Sequence, residues 1–297
     1  MSCLAGCEAI CQADAPLSEH TWYKLGGRAR WLLTPRDEPE LAAVLASCRA
    51  AGASWRVLGC GANVLVRDTG VDGAVIKLVG PVWEEVRWDS PTVHAAAGAD
   101  FHLLAKQSVE RGLGGLEGLA GIPGSVGGIV RMNAGGKYGN IGQCTRAVRV
   151  MDGAGRIESW DAQRICFGYR HTQIDKAIVL GATFVLQPGD PTELRERFQG
   201  IWKEKSAEQP AISGRTAGCI FKNPLAHGQR LPAGRLIDQA GMKGVRVGGA
   251  EISRKHANFI EAGPGATAQD VIDLIELARQ AVRRSAGIEL ELEVEIW

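Results

Sequence analysis

The stretch Gly121-Ile-Pro-Gly-Ser-Val-Gly-Gly-Ile-Val-Arg-Met-Asn-Ala-Gly-Gly-Lys-Tyr-Gly-Asn140 decides how this chain is read. Seven of its twenty residues are glycine. Apolar residues and a proline sit among them, whereas a flexible linker is polar and Gly/Ser-rich throughout. Glycine permits positive φ and lets backbone approach a ligand closely. Mixed with Ile, Val and Met, such glycines read as buried backbone laid against something flat or anionic. Backbone N–H groups in such loops can hydrogen-bond a pyrophosphate.

A second loop, Val57-Leu-Gly-Cys-Gly-Ala-Asn-Val-Leu-Val-Arg-Asp68, supports this reading. Trp55–Leu58 reads as a strand entering the turn and Val64–Val66 as the next element, the layout of a phosphate-binding turn. Gly59-Cys-Gly61 lacks both the Rossmann spacing and a following Gly-Lys-Ser/Thr. The pair of loops therefore points to a dinucleotide-like cofactor held in a different fold.

Outward from these loops the chain alternates helical and strand-like periods. Residues 39–52 read as a helix with Ala42, Val44, Leu45 and Cys48 on one face. Strands are expected at 55–58, 74–79 and 92–97, and a helix from Phe101 to Gly112 with Leu103, Leu104, Ser108 and Val109 inward. Further strands are expected at 146–151 and 178–187, and Pro191 opens a charged helix to about Lys205. A boundary falls between about 190 and 212. Beyond it come a short helix at 233–240 and strands near 245–253 and 257–261. Thr267-Ala-Gln-Asp270 is a capping box leading an amphipathic helix to Gly287. Then Ile288, Leu290, Leu292, Val294 and Ile296 alternate with glutamates, the pattern of a strand with one buried face.

The 297 residues allow one to three domains. A composition 45% hydrophobic and 23% charged, with net charge +1, is that of a globular protein with no bulk pull toward nucleic acid. No apolar run reaches membrane-spanning length. Cys3, Cys7 and Cys11 fall at helical spacing, but without a fourth ligand or a zinc pattern they read as a short helix or frayed tail. The remaining cysteines are scattered, as for reduced thiols in a cytosol. His20, His94, His102, His171 and His227 show no ligand pairing, and no metal is expected in the chemistry.

Several of these segments, in order, carry a resemblance. Thr21-Trp-Tyr-Lys-Leu-Gly-Gly27, the Gly-Cys-Gly-Ala-Asn loop, Gly121–Gly128 and Met132-Asn-Ala-Gly135 resemble the FAD-binding half of the UDP-N-acetylenolpyruvoylglucosamine reductase family. Tyr169-Arg170, Gly218-Cys-Ile-Phe-Lys-Asn-Pro224, Ala240–Gly244, Ser253-Arg-Lys-His-Ala-Asn-Phe-Ile260 and Leu290-Glu-Leu-Glu-Val294 are similar to its later motifs. The likeness runs from about residue 19 to the C-terminus; residues 1–18 fall outside it.

The resemblance implies an α+β chain: an FAD-binding fold of the vanillyl-alcohol-oxidase type over 19–195, in two lobes of about 19–85 and 86–195, then a small substrate-binding domain over 196–297. It implies non-covalent FAD held by Gly59, Cys60, Gly61, Ala62, Asn63, Gly121, Ile122, Gly124, Ser125 and Gly128. It implies NADPH as co-substrate and a UDP-sugar contacted by Tyr169, Lys222 and Asn223, with no nucleic acid or membrane partner, in the cytoplasm. The short interval from Arg170 to Cys219 is similar to the shorter form of the family, without the inserted tyrosine.

The implied reaction delivers hydride to C3 of an enolpyruvyl ether and leaves charge at C2, conjugated to a carboxylate. That charge needs a stabiliser and C2 needs a proton. Arg170, permanently charged and able to grip a carboxylate with two bonds, takes the first role by the family match. Glu293, picked out of the glutamate row only by its motif, is expected to act in protonated form. Cys219 stands where the family generally has a serine proton donor. A free thiol has a pKa of about 8.5 and gives up a proton far more readily than an alcohol. Two alternatives stand beside this reading: another FAD oxidoreductase of the same fold, or a catalytically impaired flavin or UDP-sugar binder.

Overall fold

In the computed structural model, residues 3–174, 176–211, 214–226 and 228–297 are described. They form two compact units that are not contiguous in sequence. The first comprises 1–14, 30–60 and 73–205, and the second 15–29, 61–72 and 206–297. The N-terminal segment 15–29 and the stretch just after the Gly59 turn thus share a unit with the C-terminal third.

The first unit is built on a five-stranded sheet in the order Ile157–Asp161, Thr145–Asp152, Ala177–Val185, Thr92–Ala96, Val86–Asp89, antiparallel throughout. Ala177–Val185 lies at its centre and is buried along nearly its whole length. A second sheet has the order Cys11–Pro16, Arg28–Leu33, Val71–Ile76, Trp55–Val57. Its last pair is parallel, Trp55 opposite Ala74. A parallel pair requires a long crossover, and the crossover here is the loop that carries Gly59.

The helix Glu38–Ala50 starts where the Asp37 carboxylate accepts from Glu40 N–H, a cap that satisfies one of the first-turn donors. It buries Leu41, Val44, Leu45 and Cys48; Ala42, expected inward, is only half-buried. In the helix Phe101–Glu110, Leu104, Ala105, Ser108 and Val109 are buried but Leu103 is exposed. The charged helix runs from Pro191 to Glu208, so the expected boundary region is helical over most of its length. Cys3, Cys7 and Cys11 are not on one helix: a 3-10 turn covers Glu8–Ile10 and a strand begins at Cys11.

The second unit packs the helix Ala268–Ala286 on a three-stranded antiparallel sheet, Arg246–Val247, Ala250–Ile252 and Ile260–Ala262. The capping box is present: the Thr267 hydroxyl accepts from Asp270 N–H, and the Asp270 carboxylate accepts from Thr267 N–H. Val271, Leu274, Ile275, Ala278 and Val282 lie on its buried face, and burying each of the Val, Leu and Ile side chains is worth about 1.5–3 kcal/mol. The expected strand at 245–253 is two strands around a tight turn, and the expected strand over 288–296 is regular only at Glu295–Ile296, which pairs with Val64–Leu65 in parallel. Tyr23 is fully buried here, its hydroxyl donating to Ile260 O at 3.1 Å. That bond ties the Thr21–Gly27 motif to the C-terminal sheet.

Candidate active site

Within the first unit the two glycine loops meet. Strand Trp55–Val57 delivers Gly59 against the second loop, where a Cβ on Gly59 would stand 2.5 Å from Ser125 Oγ. Any larger residue here would require the Ser125 hydroxyl to turn away. Cys60 beside it is exposed. The second loop is pinned by backbone bonds, Phe101 N–H to Gly124 O at 3.0 Å, Val126 N–H to Ala99 O at 2.9 Å and Gly127 N–H to Ala97 O at 2.8 Å. Ser125 is buried, its side chain does not cap the following helical turn, and Gly128 is exposed. On the other side, Gly121 lies against the side chains of Lys205 and Trp202, and Lys205 Nζ donates to Ala120 O at 2.6 Å. Ile122 is half-buried beside it.

Arg170 belongs to the same unit. Its φ is +54°, a left-handed conformation that costs a non-glycine residue about 1–3 kcal/mol and persists only where the surroundings impose it. Gly168 N–H donates to His171 O at 2.9 Å, closing the turn, and Thr172 Oγ1 donates to Arg131 O at 2.7 Å. Asn133 Nδ2 donates to Gly168 O at 2.7 Å while its Oδ1 accepts from Gly142 N–H. Arg170 Nη2 donates to Gly135 O at 2.8 Å, and its guanidinium lies 5.3 Å from the Tyr169 ring centroid. The Met132–Gly135 motif thus holds the arginine from both ends. Asn133, inside the Met132–Gly135 motif but not among the expected site residues, has a φ of 42°, a conformation that asparagine tolerates better than other side chains.

In the second unit, Gly61 has φ +74°, and a Cβ there would stand 2.3 Å from His20 O. Gly61 O accepts from Trp22 N–H, and half-buried Ala62 follows. Asn63 Nδ2 donates to Glu293 O at 3.0 Å, and Glu295 N–H donates to Asn63 O. The Asn63 amide therefore fixes the backbone of Glu293.

The same unit brings Cys219 and Glu293 onto neighbouring backbone segments. Glu293 N–H donates to Ile220 O and Lys222 N–H to Glu291 O, both at 2.8 Å, around an isolated bridge between Phe221 and Leu292. On the opposite edge, Ile220 N–H donates to Asn258 O at 2.8 Å. Lys222 forms a 2.5 Å ion pair with exposed Glu291. Asn223 Oδ1 accepts from Ala233 N–H at 2.9 Å at the start of the helix Ala233–Gln239. Both residues proposed for the substrate thus already carry structural contacts. His256 is half-buried, and burial holds its pKa below the usual histidine range. A separate cavity of about 560 Å³ is lined by Arg215, Arg246, Glu251, Arg254 and Lys255 among others, and by none of Cys219, Lys222, Asn223 or Glu293. Among the described residues no group of three or more His, Cys, Asp or Glu is arranged to hold a metal ion, and no helix is long and apolar enough to cross a membrane. His227 lies outside the described residues.

Residues 29–160 match the FAD binding domain family, and residues 209–297 match the family described as UDP-N-acetylenolpyruvoylglucosamine reductase, C-terminal domain. The interlocked Gly59 and Ser125 loops fit a diphosphate-bearing flavin, since they present tightly packed backbone where a side chain would intrude. The UDP-N-acetylenolpyruvoylglucosamine reductase of Moorella thermoacetica is 42% identical over 285 residues, 96% of this chain and 92% of the relative. The protein of that name from Streptococcus suis is 38% identical, covering 95% and 92%. Among solved structures, the UDP-N-acetylenolpyruvylglucosamine reductase of Thermus caldophilus superposes with a TM-score of 0.81 at 37% identity, over 95% of this chain and 97% of that one. Phl p 4.0202, a glucose dehydrogenase, superposes over 62% of this chain and 42% of its own at TM-score 0.50 and 17% identity, a likeness of fold alone. The architecture is therefore α+β, a flavin fold of the vanillyl-alcohol-oxidase type with a smaller C-terminal domain, and its cofactor is FAD. With such identity over nearly its whole length, the chain belongs to the UDP-N-acetylenolpyruvoylglucosamine reductase family.

Proposed function

We propose that this chain reduces the enolpyruvyl ether of UDP-N-acetylglucosamine-enolpyruvate to UDP-N-acetylmuramate, with NADPH as reductant, in the cytoplasmic synthesis of peptidoglycan precursors. The observation that carries the reading is the pairing of the Cys219–Lys222 segment with the segment of Glu293, which puts a thiol and a carboxyl from distant parts of the sequence on adjacent backbone. FAD held by the glycine loops would supply the hydride chemistry, relaying hydride from NADPH to C3 of the substrate. Residues 19–195 form its binding part and 196–297 the substrate part.

The chain's own residues do the rest. Gly59, Cys60, Gly61, Ala62 and Asn63, with Gly121, Ile122, Gly124, Ser125 and Gly128, offer backbone to the diphosphate. Tyr169, Lys222 and Asn223 orient the UDP-sugar. Arg170, held rigid at Gly135 O, takes the substrate carboxylate and stabilises the charge that spreads into it. Cys219 Sγ gives its proton to C2, so the S–H bond breaks as the C–H bond forms, and the thiolate is reprotonated from solvent. Glu293 acts as a neutral acid, donating a hydrogen bond to the same carboxylate; a second anion there would oppose the reaction.

The test is NADPH oxidation with and without the enolpyruvyl substrate in deuterated water. The reading requires oxidation that depends on the substrate and a product reduced by two hydrogens, with solvent deuterium at C2. NADPH consumption without that product would refute it.

A further inference from the structure

We infer that Asn258 is a positioning residue for Cys219, acting through the two residues that follow it. Asn258 is 2% exposed and lies in the Ser253–Ile260 motif, which carries no assigned step. Its carboxamide closes both backbone groups of Phe221: Phe221 N–H donates to Asn258 Oδ1 at 2.9 Å, and Asn258 Nδ2 donates to Phe221 O at 2.8 Å. Its own carbonyl accepts from Ile220 N–H at 2.8 Å. One residue thus reproduces a strand edge for the segment 220–221, opposite the edge supplied by Glu293.

Asparagine is suited to this because its side chain carries one acceptor and one donor pair in a planar group matched to a peptide. Aspartate keeps the acceptor and loses the donor; leucine loses both. Asn258 is in turn fixed from behind. Its N–H donates to His256 Nδ1 at 3.2 Å, so the neutral ring carries its proton on Nε2. The His256 ring meets Phe259 edge-on, with centroids 5.0 Å apart, and lies against Gly234, where a Cβ would stand 2.8 Å from Cε1. The packing of His256 therefore sets Asn258, Asn258 sets Ile220 and Phe221, and these set where the preceding thiol stands.

The inference rests on Cys219 as the proton donor, and the experiment separates the two. Asn258→Asp, Asn258→Leu and Cys219→Ala are prepared as flavin-loaded enzymes, with Asn258→Asp also in the Cys219→Ala background. Anaerobic reduction by NADPH and reoxidation by the enolpyruvyl substrate are followed separately, and the rate of iodoacetamide labelling at Cys219 is read by peptide mapping on the protein alone. The expected result is normal reduction, reoxidation slowed by up to about 100-fold in the single Asn258 variants, a larger solvent isotope effect on that step, and altered labelling at Cys219. In the Cys219→Ala background, Asn258→Asp adds no further loss, because a residue acting through the thiol has nothing left to act on. Full additivity in the double variant, or unchanged labelling with unchanged isotope effect, overturns the inference. Normal reoxidation in Cys219→Ala alone overturns the donor role instead. If Asn258→Leu does not fold, the aspartate variant and its double decide the matter.

Discussion

Glu293 donates its backbone N–H to Ile220 O at 2.8 Å, one residue beyond Cys219. The bond joins the last motif of the chain to the segment that bears its least usual residue. Asn63 grips the carbonyl of the same Glu293 from the other direction. The carboxyl and the thiol are therefore carried on backbone fixed at both sides, as a site for timed proton delivery requires.

Cys219→Ser retains substantial activity, since a hydroxyl can serve the same proton transfer. Cys219→Ala keeps flavin reduction by NADPH and loses reoxidation by substrate. Stopped-flow absorbance of each half-reaction checks this; reoxidation at the normal rate in the alanine variant refutes the donor role.

Iodoacetamide inactivates the enzyme through Cys219, and bound substrate protects it. Burial pushes the thiols of Cys11 and Cys144 up to about 12 and that of Cys48 to about 11, so these remain protonated and slow to react. Cys60 and Cys166 are exposed and label as well, so inactivation must follow the Cys219 peptide in time. Full activity after complete alkylation of Cys219 counts against the role.

Arg170→Ala slows reoxidation by about 10²–10³-fold, the usual cost of removing a group that stabilises developing charge. Because the position is left-handed, Arg170→Gly is equally inactive but more stable than Arg170→Ala by about 1 kcal/mol. Thermal melts of the two variants, read against their half-reaction rates, separate the backbone requirement from the chemical one. An alanine variant as stable as glycine would contradict the strain.

Gly59→Ala places a methyl 2.5 Å from Ser125 Oγ, so the Ser125 hydroxyl must rotate away and the packing between the two glycine loops changes. The variant is isolated with less FAD per chain, measured by visible absorbance against protein absorbance. Full flavin content would remove the loops from the cofactor site.

His256 titrates below its unfolded value because burial disfavours its charged form. Its depressed pKa means the unfolded chain binds the proton first as pH falls. The His256 contribution to stability is complete above about pH 6.5 and is lost as pH falls from there through the lowered folded value. Protonation at Nδ1 also breaks the bond from Asn258 N–H. His256→Gln flattens the acid limb of the stability curve, read by urea unfolding across pH. An unchanged acid limb would reject this.

Much of the frame was legible in the chain itself. The Thr267 capping box and the Val271–Val282 stripe are local signals, and both appear as helix. Alternation over 288–296 reports burial, and Leu290 and Val294 are indeed buried. It did not report pairing: Ile220 O takes both Glu293 N–H and Val294 N–H, which breaks the ladder there. Leu103 is periodic but exposed, because the helix turns its buried face a little to one side of that stripe. The clamps on the site were not legible. Asn258 meets Phe221 across 37 residues of sequence, and Asn133 meets Gly168 across 35; no local pattern encodes such partners.

The most direct measurement is anaerobic absorbance of the purified yellow protein in two additions. NADPH bleaches the flavin, and UDP-N-acetylglucosamine-enolpyruvate then restores the colour at a rate that collapses in Cys219→Ala and in Arg170→Ala. A protein that takes up no FAD, or one that bleaches and stays colourless when the substrate is added, contradicts the account.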